Sequence, residues 1–460
     1  MLKKTVIATG MAAAFGMPLC ASATDLAHIR DEIRQMKENY ETRIQALEKR
    51  LQEAEAKPAS TAQTQAAAAS PAAPVGGASG SRFNPEVSLI LGGTYSNLSQ
   101  DPQQYRQQGF VPGGEEAGPG SRGFSLGESE LTLRASIDPL LAGQLTFALG
   151  ADNSVSVEEA YFRTQGLSNG LTLKGGRFLS SIGYLNNRHA HTWDFADAPL
   201  AYKTFFGGQY KPDGLQLKWL APTERFLELG LETGQGATFP GTDRNKNGLN
   251  ATALYAHVGD DIGDSASWRA GVSYLRTKAS NRTAEDVATG VTNSFTGNSD
   301  TLIVDGVYKW SPGGNATRTN LTLQGEYFRR KEKGDLTYDT TSQSIGPAPA
   351  GYRTAQSGWY LQGVYQFMPK WRTGLRYDKL NSGTPEFRLI SDGTLARPTI
   401  GQLASYNPHR TSLMFDYSPS EFSRFRLQLA REKSRPDAAA DNQILLQYIM
   451  SLGAHGAHSF

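Results

Sequence analysis

The chain has 460 residues, 38% hydrophobic and 20% charged, with 46 Lys and Arg against 44 Asp and Glu. A formal charge of +2 supplies no global basic field, which excludes nucleic acid as a partner on electrostatic grounds. A single cysteine excludes a disulfide framework.

Residues 1–23, MLKKTVIATGMAAAFGMPLCASA, read as a secretory signal peptide. Lys3 and Lys4 form its positive region, Thr5 to Leu19 its apolar stretch, and Ala21-Ser22-Ala23 the small-residue cleavage pattern. Cleavage after Ala23 removes Cys20 and two lysines, taking the formal charge from +2 to zero. Residues 24–57 predict a short α-helical coiled coil. Leu26, Ile29, Ile33, Met36 and Tyr40 keep 3-4 spacing, and a four-residue stutter leads to Ile44, Leu47 and Leu51. One such helix cannot bury its own stripe, so self-association is expected; the alternative is a solvated helix folded back on the rest of the chain. Residues 58–83 are mostly Ala, Ser, Pro, Gly, Thr and Gln and read as a flexible linker.

From residue 84 to 460 the pattern changes to period two. Leu131, Leu133 and Ala135 alternate with Glu130, Thr132 and Arg134; Leu427 and Leu429 alternate with Arg426 and Gln428. After the signal peptide no apolar run approaches 18 residues, which excludes a helical membrane span. A closed barrel is the remaining way to cross a bilayer with every backbone group paired. Segments near 86–97, 124–137, 143–151, 154–165, 170–179, 209–220, 225–235, 249–259, 267–278, 300–310, 319–330, 357–368, 370–381, 410–418, 422–432 and 442–453 predict an all-β transmembrane barrel of about 16 antiparallel strands. Short turns such as APTE (221–224) and MPK (368–370) alternate with long loops at 98–123, 180–208, 236–248, 279–299, 331–356 and 382–409. Short turns belong in the periplasm and long loops outside. Sixteen strands predict an aqueous lumen. The last segment runs toward Phe460, similar to the aromatic carboxy-terminal signal of outer-membrane barrels.

The polar sides of the strands place charges of both signs in the lumen. Arg134, Lys174, Lys218, Arg372, Arg376, Arg424 and Arg426 oppose Glu130, Glu228 and Asp378, a transverse field suited to small polar solutes. Loop 180–208 carries RHAHTWDFAD, with two of the seven histidines. If it folds inward, His189, His191, Trp193, Asp194 and Asp197 form the constriction. His-x-His with Asp194 suits zinc or a similar divalent ion; a structural loop anchor and another kind of cargo contact fit the same residues. His455 and His458 form a second pair at the periplasmic end. DRNKNG (243–248) resembles the start of a calcium loop, but Leu254 stands where the twelfth-position Glu belongs, so loop calcium competes with a plain Asn-Gly turn. No Ser-His-Asp, Cys-His or phosphate-loop arrangement stands out, and no enzymatic activity is expected.

The stretch GGRFLSSIGYLN and the overall layout resemble Gram-negative outer-membrane porins with an N-terminal coiled coil, such as the phosphate-selective porin group. LTLKGGRFLSSIGYLNNRHAHTWDFADAPL, LQLKWLAPT and MSLGAHGAHSF are similar to a family labelled zinc-regulated TonB-dependent outer-membrane receptor. The resemblance implies a bacterial outer-membrane location, contact with lipid and lipopolysaccharide, a homotrimer, and transient zinc. An energised transporter requires about 22 strands and a plug, whereas this chain predicts about 16. The expected function is passive diffusion of small hydrophilic solutes or ions, divalent metal such as zinc among them. The alternatives are a porin selective for anions or organic acids through Arg372, Arg376, Arg424 and Arg426, and a structural tether gripping the cell wall through residues 24–57.

Overall fold

A computed structural model describes residues 85–453 apart from 111–116, 128, 151–153, 288 and 397–402. The expected signal peptide, coiled coil, linker, His455, His458 and terminal Phe460 lie outside the described residues. Alternating side chains build one antiparallel sheet of long strands: β1 (Glu86–Leu98), β2 (Glu130–Ser136), β3 (Leu141–Leu149), β4 (Val155–Thr164), β5 (Leu171–Arg177), β6 (Asp213–Leu220), β7 (Phe226–Gly234) and β8 (Ala251–Ile262). They continue as β9 (Ala266–Asp286), β10 (Val291–Trp310), β11 (Asn320–Tyr338), β12 (Ala348–Met368), β13 (Trp371–Asn381), β14 (His409–Ser420), β15 (Ser423–Lys433) and β16 (Asp441–Gly453). Two short segments, Gly123–Ser125 and Glu386–Phe387, add to the edges of β1 and β12.

The sheet closes on itself. β1 pairs with β16, with Leu89 opposite Leu452, and with β2, with Leu89 opposite Leu131. Closure removes the free edges that an open sheet exposes. The sixteen long strands match the expected segments one for one, and their number departs from the roughly 22 of an energised transporter.

Each strand turns its apolar side outward. On β16, Ile444, Leu446, Tyr448 and Leu452 are exposed while Gln443 and Ser451 are buried. On β13, Leu375 is exposed while Arg376 and Asp378 are buried. An apolar belt of this extent is unstable in water and is what a hydrocarbon layer requires. Aromatic side chains rim it. Trp371 lies 4.6 Å from Tyr417, and Phe425 lies 4.6 Å from Tyr448, near the short turns. Trp359 on β12 and Tyr377 on β13 lie 5.5 Å apart, further from the short turn that joins these strands.

Two expectations are corrected here. Segments 279–299 and 331–356 are not mainly loops: β9 to β12 extend to between 19 and 21 residues and keep pairing through them, for example Thr296 with Asp335 and Lys333 with Arg353. Their polar sequence (KASNRTAED, RKEKGDLTY) carries no lipid-facing alternation, but backbone hydrogen bonds continue the ladder regardless of side chain. A cluster of Phe295, Leu336, Tyr352, Phe387, Leu395 and Leu403 packs these extensions together. Nor is the interior simply aqueous. Phe110, Ile182, Leu200, Tyr202, Phe205 and Phe206 form an apolar core with the inward-facing Leu275, Ile303, Phe328 and Tyr360.

Candidate functional site

The interior core is made by the segment between β5 and β6. Gly175 and Gly176 lie just before the end of β5, and Gly176 has φ +126°; a Cβ there would lie 2.2 Å from the Ala160 carbonyl oxygen. Only glycine lets the chain pass that close to β4 and turn inward. The segment then makes a 3-10 turn at Ala190–Thr192 and a helix, α1 (Leu200–Phe206), closed by Gly207 in the left-handed conformation. All seven α1 residues are buried. The burial of Leu200, Tyr202, Phe205 and Phe206 inside the barrel drives the docking.

Acidic side chains of the wall hold the first half of this segment. Glu232 of β7 accepts from Ser180 Oγ at 2.5 Å and from the Ser181 N–H at 2.9 Å. Glu326 of β11 accepts from the N–H groups of Tyr184 and Leu185, at 3.1 and 3.0 Å, and from the hydroxyls of Tyr202 and Tyr360. Gly183 has φ +68°, and a Cβ on it would stand 2.3 Å from Glu326 Oε2.

On β4 the register shifts: Thr146 faces Glu159 and Phe147 faces Val157, so Glu158 is the extra residue of a β-bulge. A bulge re-aims side chains, and here it buries both Glu158 and Glu159 on the inside. His189 Nδ1 lies 3.0 Å from Glu130 Oε2 and 3.2 Å from Glu158 Oε2, and its Nε2 lies 3.0 Å from Glu159 Oε2. His191 Nδ1 lies 3.1 Å from Glu130 Oε1. Burial opposes a charged His189, but its hydrogen bonds to Glu130, Glu158 and Glu159 outweigh burial and hold its pKa well above the ordinary value.

Basic side chains hold the second half. Arg424 donates to the His191 carbonyl, and Arg426 donates to the Trp193 carbonyl at 2.9 Å. Arg372 reaches Asp194 at 3.0 Å. Asp197 accepts from Arg376 at 3.0 Å, Gln428 at 3.0 Å, Lys203 at 3.1 Å and Arg410. The first half of the segment thus donates mainly to wall carboxylates and the second half accepts mainly from wall arginines, while the Leu200 N–H donates to Asp378 at 3.0 Å.

The structure places every residue expected at the constriction on this segment, but it rearranges their partners. Asp194 is not beside the histidines; Arg372 and Gln362 hold it, and Glu130 is the carboxylate that faces both rings. Trp193 is buried and donates from Nε1 to the Arg188 carbonyl at 2.8 Å. Arg134 is bonded to Gln144, Lys174 lies 4.5 Å above the Tyr161 ring, and Lys218 lies 3.1 Å from Glu228. Arg376 and Arg426 are not open lining as expected: they are 1% and 3% exposed, and Asp378 and Asp416 sit beside them. Glu158, Glu159 and Arg410 escaped the sequence reading. The adjacent pair Glu158-Glu159, interrupting a period-two strand, is the signal that marks the bulge. At residues 243–248, Asp243 Oδ1 accepts from the Asn245 N–H at 2.8 Å in an Asx turn.

Beside the docked segment a cavity of about 660 Å³ remains, lined among others by Tyr184, Arg188, Lys218, Glu228, Arg269 and Lys309. Arg188 and Arg269 lie 4.4 and 5.2 Å from the Tyr184 ring.

Asp197 lends the docking a defined pH dependence. Burial alone would raise its pKa, but Arg410, Lys203 and Arg376 hold it well below the ordinary carboxylate value. A depressed pKa stabilises the docked form fully above about pH 4 and loses that stabilisation as pH falls through the depressed value. The segment is expected to resist pepsin at pH 4 in the wild type and to be cleaved faster at the same pH in Asp197→Asn. Equal cleavage rates would show that Asp197 does not hold the segment.

No family model matches the chain. An uncharacterized protein of Aquifex aeolicus (strain VF5) is 30% identical over 406 residues, 82% of this chain and 80% of that protein. The OmpT loop L8 deletion mutant of Vibrio cholerae, an outer membrane protein, has a TM-score of 0.49 and 14% identity over 80% of this chain and 99% of its own. The outer membrane channel DcaP of Acinetobacter baumannii has 0.47 and 11%, over 80% and 97%. An anion-selective porin from Comamonas acidovorans has 0.47 and 12%, over 80% and 99%. The architecture rests on the strand pairing itself.

Proposed function

We propose that this chain, which belongs to the same family as the uncharacterized Aquifex aeolicus protein, is a passive outer-membrane porin. Small hydrophilic solutes and ions, divalent metal such as zinc among them, diffuse through a lumen narrowed by residues 180–208. The observation that carries this reading is that segment, fastened to both charged walls of a closed barrel and leaving a charged cavity of about 660 Å³ beside it. The exposed apolar belt and its aromatic rims support insertion among lipid and lipopolysaccharide. The heptad-like pattern of residues 24–57 supports a homotrimer with that helix in the periplasm, where it is also placed to meet the cell wall.

The buried pairing of Arg376 and Arg426 argues against using these arginines to select anions. Arg188, Arg269 and Lys309, which line the cavity, are better placed to do so. Purified protein in a planar bilayer is expected to give steady open conductance. Neutralising Arg188, Arg269 and Lys309 together should shift the cation-to-anion permeability ratio by more than neutralising Arg372, Arg376, Arg424 and Arg426 together. The reverse order would restore the anion-selective alternative, and no conductance would end the porin reading.

A further inference from the structure

Three buried carboxylates converge on one face of the docked segment. Glu130 arrives from β2, and Glu158 and Glu159 arrive from the β4 bulge. Gln144 of the intervening β3 fixes Glu159 at 3.0 Å. Among the described residues, the cationic groups within 4 Å of these acids are His189, His191 and Lys211, the last at 3.6 Å from Glu158. Three negative charges sharing two imidazoles and one distant ammonium favour a further positive charge.

The spacing suits a metal ion. One ligand atom each from Glu130, His189 and His191 all lie within 4.8 Å of one another. Ligands about 2.1 Å from a tetrahedral ion stand about 3.4 Å apart; the Glu130 carboxylate meets His189 Nδ1 at 3.0 Å through Oε2 and His191 Nδ1 at 3.1 Å through Oε1, so each oxygen is near one imidazole. Imidazole nitrogen with carboxylate oxygen selects zinc and similar borderline ions over calcium and magnesium, which take oxygen alone. An ion has access, because the His189 and His191 side chains are 20% and 14% exposed whereas Glu130 is 2% exposed.

We propose that Glu130, His189 and His191 hold one divalent cation of the zinc class, which fastens the 180–208 segment to the barrel wall at β2. The bulge carboxylates Glu158 and Glu159 flank the ion and orient His189. The site is then a strap: two ligands ride on the segment and one on the wall, so binding the ion favours the docked form by linkage. The binding does not depend on the porin reading; only its consequence for permeation does.

The test uses full-length protein in detergent, stripped with chelator and titrated with zinc against a chromophoric competitor. The expected result is one equivalent per chain and zinc-dependent protection of residues 187–197 from protease. His191→Gln should weaken binding by about 100-fold, the upper end of what even an outer-shell loss produces, with an unchanged circular dichroism spectrum. His409→Gln, remote from the cluster, should bind as the wild type does. Absence of stoichiometric zinc, undiminished affinity in His191→Gln, or displacement of zinc by equimolar calcium would each overturn the site. Conductance recorded in chelator keeps the two readings separate. An open channel that binds no zinc defeats the site alone; bound zinc without conductance defeats the porin alone.

Discussion

Asp197→Ala is expected to free the second half of the inward segment from the side chains of Arg376, Arg410 and, within the segment, Lys203. The substitution removes the carboxylate that Arg376 and Arg410, each 1% exposed, share with Lys203, and leaves Arg376 with Asp378, Arg410 with Glu432 at 3.9 Å and Lys203 with the Gly118 carbonyl. Removing one partner of a buried ion pair costs about 3–5 kcal/mol, because the remaining charge stays desolvated. At about 1.4 kcal/mol per factor of ten, even 3 kcal/mol means roughly a hundred-fold rise in the released population. The barrel is held by its own ladder, so the loss is local. Protease cleavage within 187–210 should accelerate by that factor while the far-ultraviolet circular dichroism stays unchanged. An acceleration under about three-fold would mean that the apolar packing of α1 alone holds the segment. Arg376→Ala should cost less, since Arg410 and Lys203 still neutralise Asp197.

The second large effect lies at the first half of the segment. Glu326→Ala removes the acceptor of two backbone N–H groups and two tyrosine hydroxyls, all inside the core. An orphaned buried donor costs about 1–3 kcal/mol, and water entering the vacated space recovers part of it. A net loss of about 4 kcal/mol in docking follows. Glu326→Gln keeps one acceptor oxygen but turns an N–H₂ toward the donors, so it should fall between the wild type and alanine. Gly183→Ala tests the same contact from the segment side, since its Cβ would strike Glu326 at a backbone φ that alanine tolerates poorly. Hydrogen exchange at the amides of Tyr184 and Leu185 reads all three. If these amides stay protected in Glu326→Ala, the carboxylate is not their anchor.

Both effects depend on pairings that the sequence hides. His189 and His191 are visible as a motif, but Glu130 lies 61 residues before His191, and it meets them only because the 180–208 segment folds inward against β2. Asp194 is the nearer carboxylate in sequence, which is why it reads as the third ligand. Arg372 takes it instead, because the segment passes from the acidic to the basic wall between residues 191 and 194. Arg376 and Arg426 read as solvated lining for a related reason: alternation tells which side of a strand a residue occupies, not what fills the space it faces.

The sequence by itself determined about sixteen strands, which side of each is apolar, and which connection is long and rich in His, Trp and Asp. Those features are written in neighbouring residues, through period-two alternation and turn-forming clusters. Only the tertiary structure decided that β9 to β12 continue past the apolar belt, that Phe205 and its neighbours fill the interior, and that Glu130, rather than Asp194, faces the two histidines. Backbone pairing is indifferent to side-chain pattern, and contacts across a lumen join residues distant in the chain. Closure of the barrel therefore had to come before either could be read.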